Sequence, residues 1–129
     1  MAASVIVDTS FLVALLKARD SHHPWAVSEA ALHSRPWQTC ESVLSEAYFL
    51  LGRDGRAALL ALISRGVVLV SFRFSQEEEP VLALMRKYAD VPMRLADACL
   101  VRMTKILDDT TVLTTDTDFR VYRRNGPFR

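Results

Sequence analysis

Along the chain, short apolar runs alternate with longer stretches whose apolar residues recur at helical spacing. Val5-Ile6-Val7 is a β-branched run that stops at Asp8, and Val67 to Phe72 is the clearest strand, a continuous apolar run of the kind a sheet covered on both faces requires. Trp37 to Cys40 and Thr111 to Thr115 predict further strands, and Val121 to Arg124 a last edge strand. Between them, helices are predicted over Phe11 to Lys17, His22 to His33, Ser42 to Leu51, Arg56 to Ser64 and Arg94 to Leu107, with Gly52 and Gly66 as stops. Ser75 is positioned to cap one more helix, with Glu77, Glu78 and Glu79 in its first turn where the dipole favours them. Strand–helix alternation with apolar strands predicts an α/β fold, a three-layer α/β/α sandwich around a mainly parallel sheet.

Composition narrows the class. At 129 residues, half of them hydrophobic, the chain is expected to be a single domain, 1–129, with one core. It has no apolar run long enough to span a bilayer, and its first residues lack the basic start of a signal peptide, so a cytoplasmic protein is expected. Cys40 and Cys99 are far apart and form no CxxC pair, which reads as two buried thiols rather than a zinc site. The net charge of +1 excludes a polycation that holds nucleic acid by bulk attraction. A basic tail (Arg120, Arg123, Arg124, Arg129) is first of all a solvated end, with RNA phosphate as its other reading.

The chemistry lies in acids placed at strand ends and helix margins. In parallel sheets ligands bind beyond the carboxyl ends of the strands. Asp8 follows the first strand and Asp116 follows Thr111–Thr115. Glu46 flanks the apolar arc Val43, Leu44, Ala47, Tyr48, Leu50, Leu51, and Asp97 flanks the stripe Leu95, Ala96, Cys99, Leu100, Met103, Ile106, Leu107. Taken singly, Asp8 and Asp116 read as helix caps, Asp97 as a dipole partner and Glu46 as a solvated acid. Taken together, four carboxylates directed to one rim would repel one another unless protonated or neutralised. Oxygen-only ligands suit Mg²⁺ or Mn²⁺, and that chemistry is phosphodiester hydrolysis.

The segments Val5-Ile6-Val7-Asp8-Thr9-Ser10, Ser45-Glu46-Ala47, Leu95-Ala96-Asp97-Ala98 and Thr114-Thr115-Asp116-Thr117-Asp118-Phe119 resemble, in this order and spacing, the motifs of PIN-domain proteins, in particular the stand-alone branch of VapC-type toxins. Arg19-Asp20-Ser21-His22-His23-Pro24 resembles the stretch after that family's first helix. The resemblance implies a parallel α/β/α fold, a Mg²⁺- or Mn²⁺-dependent ribonuclease, and the acidic quartet Asp8, Glu46, Asp97 and Asp116. It also implies supporting hydroxyls at Thr9, Ser10 and Thr114, an antitoxin partner and a homodimer. Asp118 reads either as an outer-shell acid or as a helix cap, and Phe119 as a packing anchor.

Particular residues bear on the other classes. A phosphatase with an aspartyl nucleophile would carry a second Asp two residues after Asp8, where Ser10 stands. A non-catalytic binding module on the same fold would have no need of all four acids, and a PIN-type nuclease in RNA processing differs from a toxin only in partner and target. His22, His23 and His33, outside the acidic set, read first as surface or interface residues, with a catalytic general base as the other reading. Phe49, projecting away from its helix's apolar arc, reads as a partner surface with Trp25 or Trp37 near it, or as buried against a neighbouring helix.

Overall fold

The computed structural model describes residues 4–117 and 119. In chain order it contains β1 (Ser4–Val7), α1 (Thr9–Leu16), α2 (His23–Leu32), β2 (Trp37–Thr39), α3 (Glu41–Leu50), α4 (Arg53–Ser64), β3 (Val68–Val70), a 3₁₀ turn (Phe74–Gln76), α5 (Glu78–Lys87), α6 (Leu95–Ile106) and β4 (Thr110–Leu113). The strand expected at Val121–Arg124, the basic tail and Asp118 lie outside the described residues.

The strands form one all-parallel sheet in the order β3-β2-β1-β4. Chain order runs outward from β1 to β3 and then returns to the other side of β1. Right-handed crossovers therefore place α1 to α4 against one face and α5 and α6 against the other, which is the three-layer sandwich. Accordingly α1 packs on α2, α3 and α4, α5 packs on α6, and α3 meets α6. The reversal of direction falls between β1 and β4, where parallel sheets open a crevice. These two strands pair from Ser4 opposite Thr110 to Val7 opposite Leu113, and the Asp8 N–H extends the ladder to the Leu113 carbonyl at 3.1 Å.

Burial explains the elements. Ile6, Val7, Val112 and Leu113 are buried in the central strands, and Phe11 on α1 meets Trp25 and Trp37 edge-on, with ring centroids 5.8 and 5.4 Å apart. These two tryptophans therefore belong to the packing around Phe11, Trp37 fully buried and Trp25 half-buried. Helix α5 carries Glu78 and Glu79 in its first turn and Arg86 and Lys87 in its last, complementing its dipole. The carbonyls ending α3 are satisfied from outside the helix, Tyr48 O by Arg56 Nε at 2.7 Å and Leu50 O by Lys17 Nζ at 3.2 Å.

Several expectations are corrected. The Val67–Phe72 run predicts a covered central strand, but only Val68–Val70 pairs. It does so at the sheet edge, with Leu69 and Val70 exposed, because among the described residues β3 has a neighbouring strand on one side only. Ser75 lies in the 3₁₀ turn, and Glu77 occupies the N-cap of α5. In α6, Leu95 and Ile106 are exposed, while Ala96 to Val101, Met103 and Thr104 are all buried. Helix α6 is enclosed on nearly every side, so a one-stripe pattern misplaces its ends. In α3, Tyr48 and Leu50 are likewise exposed, and Val43 and Ala47 carry the burial.

Candidate active site at the carboxyl edge of the sheet

A cavity of about 340 Å³ opens at the crevice between β1 and β4, and Asp8, Glu46, Asp97 and Asp116 all line it. Topology places each of them. Asp8 is the residue after β1 and the N-cap of α1, with extended backbone (φ −92°, ψ 165°) and no side-chain capping bond, so its carboxylate turns to other partners. Asp116 follows β4, and a turn in which the Phe119 N–H reaches the Asp116 carbonyl at 3.3 Å, with the Phe119 ring buried, holds the segment down. Glu46 comes from mid-α3 and Asp97 from the first turn of α6.

Hydroxyl groups organise these acids. Thr114 Oγ1 donates to Asp8 Oδ2 at 2.7 Å and accepts the Asp116 N–H at 2.9 Å, joining the two strand ends. Ser10 Oγ donates to the same Asp8 oxygen at 3.2 Å, lies 3.3 Å from Thr114 Oγ1 and accepts the Thr115 N–H at 3.0 Å, tying the start of α1 to the loop after β4. Thr9 Oγ1 donates to Glu46 Oε1 at 3.0 Å and so connects α1 to α3. Asp97 Oδ2 accepts the backbone N–H of Arg94 at 3.0 Å, and the Arg94 guanidinium stands 3.8 Å from Glu46 Oε1.

Electrostatics distinguishes the acids. Asp8, only 5% exposed, has its carboxyl raised above the usual range, first by burial and also by the charge of Asp116, against hydrogen bonds from Thr114, the Thr9 backbone and Ser10. Asp97, 7% exposed, is pushed up to about 6, first by burial and then by Asp8 and Asp116, while the Arg94 N–H and guanidinium oppose the rise. These three carboxylates feel one another. Glu46 is joined to the set through Thr9 and Arg94.

The donors fit a hard divalent cation in kind. Every candidate is an oxygen, and a dication would offset both the burial that chiefly raises Asp8 and Asp97 and the neighbouring carboxylate charge that adds to it. As the side chains stand, no group of three or more His, Cys, Asp or Glu among the described residues is arranged as a ready ligand shell. Oxygens of Asp8, Glu46 and Asp97 are instead engaged by Thr114, Thr9 and Arg94.

Two lining residues lie outside the set that the sequence directs to this rim. Asp20 and His22, in the loop between α1 and α2, stand on the cavity wall. Asp20 Oδ1 accepts the His22 N–H at 2.8 Å, a local turn that fixes the loop. The signal available was the Arg19–Pro24 resemblance, but nothing in helical or strand periodicity says that this loop bends over the strand ends.

No curated protein matches the chain significantly. The solved structure of the Mycobacterium tuberculosis toxin VapC20, described as cleaving the sarcin–ricin loop, is similar to it, with 27% identity and a TM-score of 0.73 over 92% of this chain and 94% of that one. The PIN domain model matches residues 5–125, a span holding every acid described above, and the chain therefore belongs to the PIN-domain family.

Proposed function

We propose that this protein is a Mg²⁺- or Mn²⁺-dependent endoribonuclease acting as the toxin of a toxin–antitoxin pair. The observation that carries the reading is the convergence of Asp8, Glu46, Asp97 and Asp116 on one cavity at the topological switch point. Family membership and the likeness to an RNA-cleaving toxin support it. Asp8, Glu46, Asp97 and Asp116 would hold the ion, Glu46 from the side on which α3 approaches. A bound dication would polarise a phosphate and acidify an attacking water.

The chain's own part is positional. Thr114 and Ser10 fix the orientation of the Asp8 carboxylate, and Thr9 that of Glu46, so that these oxygens need little reorganisation when charge develops on the phosphate. Apolar residues Val13, Leu50 and Pro92 line the same cavity beside the acids.

An antitoxin and a second copy of the chain are the expected protein partners. Phe49 is 78% exposed beside exposed Tyr48 and Leu50 at the end of α3, an apolar surface in keeping with such contacts. The test is incubation of purified protein with total cellular RNA and with a sarcin–ricin stem–loop, in Mn²⁺, Mg²⁺ or EDTA. Discrete cleavage that needs the ion and disappears in Asp8→Asn and Asp116→Asn is expected. Cleavage that survives EDTA or both substitutions would refute the reading.

A further inference from the structure

The cavity described above is lined by five carboxylates (Asp8, Asp20, Glu46, Asp97 and Asp116), and among the described residues Arg94 is its one permanent cation. Its two ends behave differently. The backbone is anchored, because Arg94 is the N-cap of α6 and its N–H is held by Asp97 Oδ2 at 3.0 Å. The side chain is 69% exposed and rests 3.8 Å from Glu46 Oε1, a loose and solvent-screened contact that is broken at little cost. Such a guanidinium is fixed in origin and free in reach.

A divalent ion drawing on Glu46 would compete with this contact, since a carboxylate oxygen shared with a dication attracts a guanidinium less and the two cations repel. RNA sets the opposite demand. A polyanion approaching five carboxylates needs a donor for its phosphate, and the planar guanidinium matches a phosphate with two parallel hydrogen bonds. We propose that Arg94 competes with the divalent ion for Glu46 and, once displaced by it, binds a phosphate of the RNA strand being cut. This rests on the ribonuclease reading and assigns to that site a substrate-binding residue outside the acidic set.

The proposal makes two effects of opposite sign. In Arg94→Gln, Mn²⁺ titrated calorimetrically without RNA binds about three- to tenfold more tightly than in wild type, because a positive charge has left the cavity. The same substitution raises KM for the RNA cleaved by wild type about tenfold and leaves kcat within about threefold. Arg94→Lys keeps wild-type Mn²⁺ affinity, since the charge remains, and has an intermediate KM, since the fork is lost. Thermal melts of all three proteins agree within about 2 °C, as suits an exposed side chain. Unchanged or weaker Mn²⁺ binding in Arg94→Gln overturns the competition, and an unchanged KM overturns the phosphate contact. A fall in stability alongside both would mark Arg94 as structural and overturn the whole proposal. If wild type itself neither binds Mn²⁺ nor cleaves total RNA, the ribonuclease reading falls, and the Arg94 proposal with it.

Discussion

Replacing Asp97 by Asn separates a functional carboxylate from a helix-capping one. The substitution removes the charge but keeps a side-chain oxygen for the Arg94 N–H, now held at 3.0 Å. In the folded protein Asp97 is pushed from 3.8 up to about 6 by burial, Asp8 and Asp116. At about 1.4 kcal/mol per pH unit, that shift corresponds to about 3 kcal/mol at full strength. The carboxylate faces an open cavity, so water reduces the penalty to about 1–2 kcal/mol.

The sign follows from proton binding. Below pH 4 both folded and unfolded forms are protonated at Asp97 and there is no penalty. Between about 4 and 6 the unfolded chain releases its proton first, so stability falls as pH rises, and above 6 the full cost persists. Asn has no proton to release. Metal-free Asp97→Asn should therefore melt about 3–8 °C above wild type at pH 7.5, and the two should converge at pH 4. Added Mn²⁺ should reverse the order by stabilising wild type alone. Scanning calorimetry from pH 4 to 8, with EDTA and then with Mn²⁺, reads both effects. An Asn variant that is less stable than wild type at pH 7.5, or a difference that does not vary with pH, would show that capping the α6 N-terminus is the main role of Asp97 and would refute this reasoning.

Three other substitutions test neighbouring parts of the account. Asp8→Asn should lower Mn²⁺-dependent RNA cleavage more than about a hundredfold, the loss of several kcal/mol of transition-state stabilisation, while metal-free protein at pH 7.5 melts no lower than wild type. Ser10→Ala leaves the Thr115 N–H and one Asp8 contact unsatisfied, so cleavage should fall about 10- to 100-fold, with about 1–2 kcal/mol lost from stability in urea titrations. Phe11→Ala empties the space between Trp25 and Trp37 and should cost about 3–5 kcal/mol in the same titrations, with kcat preserved in the fraction that folds.

The sheet and its acids were legible in the sequence for a physical reason. Val5-Ile6-Val7 followed by Asp8 marks the end of β1 directly, whereas β4 ends at Leu113 rather than at Thr115, so Asp116 stands three residues beyond its strand; parallel topology makes both strand ends a ligand rim. Element boundaries were less so: β3 ends at Val70 because pairing stops there, while the apolar run continues to Phe72, which is buried without joining the strand. Helix α6 misled in another way, since periodicity assumes one wet face, and Ala98 and Val101 are buried along with the middle of the predicted stripe while its ends, Leu95 and Ile106, are exposed. The missing site residues share one cause. Asp20 and His22 sit in the loop between α1 and α2, and only the folded path of the chain brings them over the cavity. Trp25 and Trp37 gave no sequence sign of their common partner, Phe11, because the contact joins three separate elements.

The most direct test of the central claim is a crystal structure of the wild-type protein grown or soaked with Mn²⁺, read by anomalous scattering. An anomalous peak in the cavity with carboxylate oxygens of Asp8, Asp97 and Asp116 at about 2.0–2.3 Å is the expected result. A saturated soak that leaves those carboxylates in their hydrogen bonds to Thr114 and Arg94, with no ion among them, would contradict it.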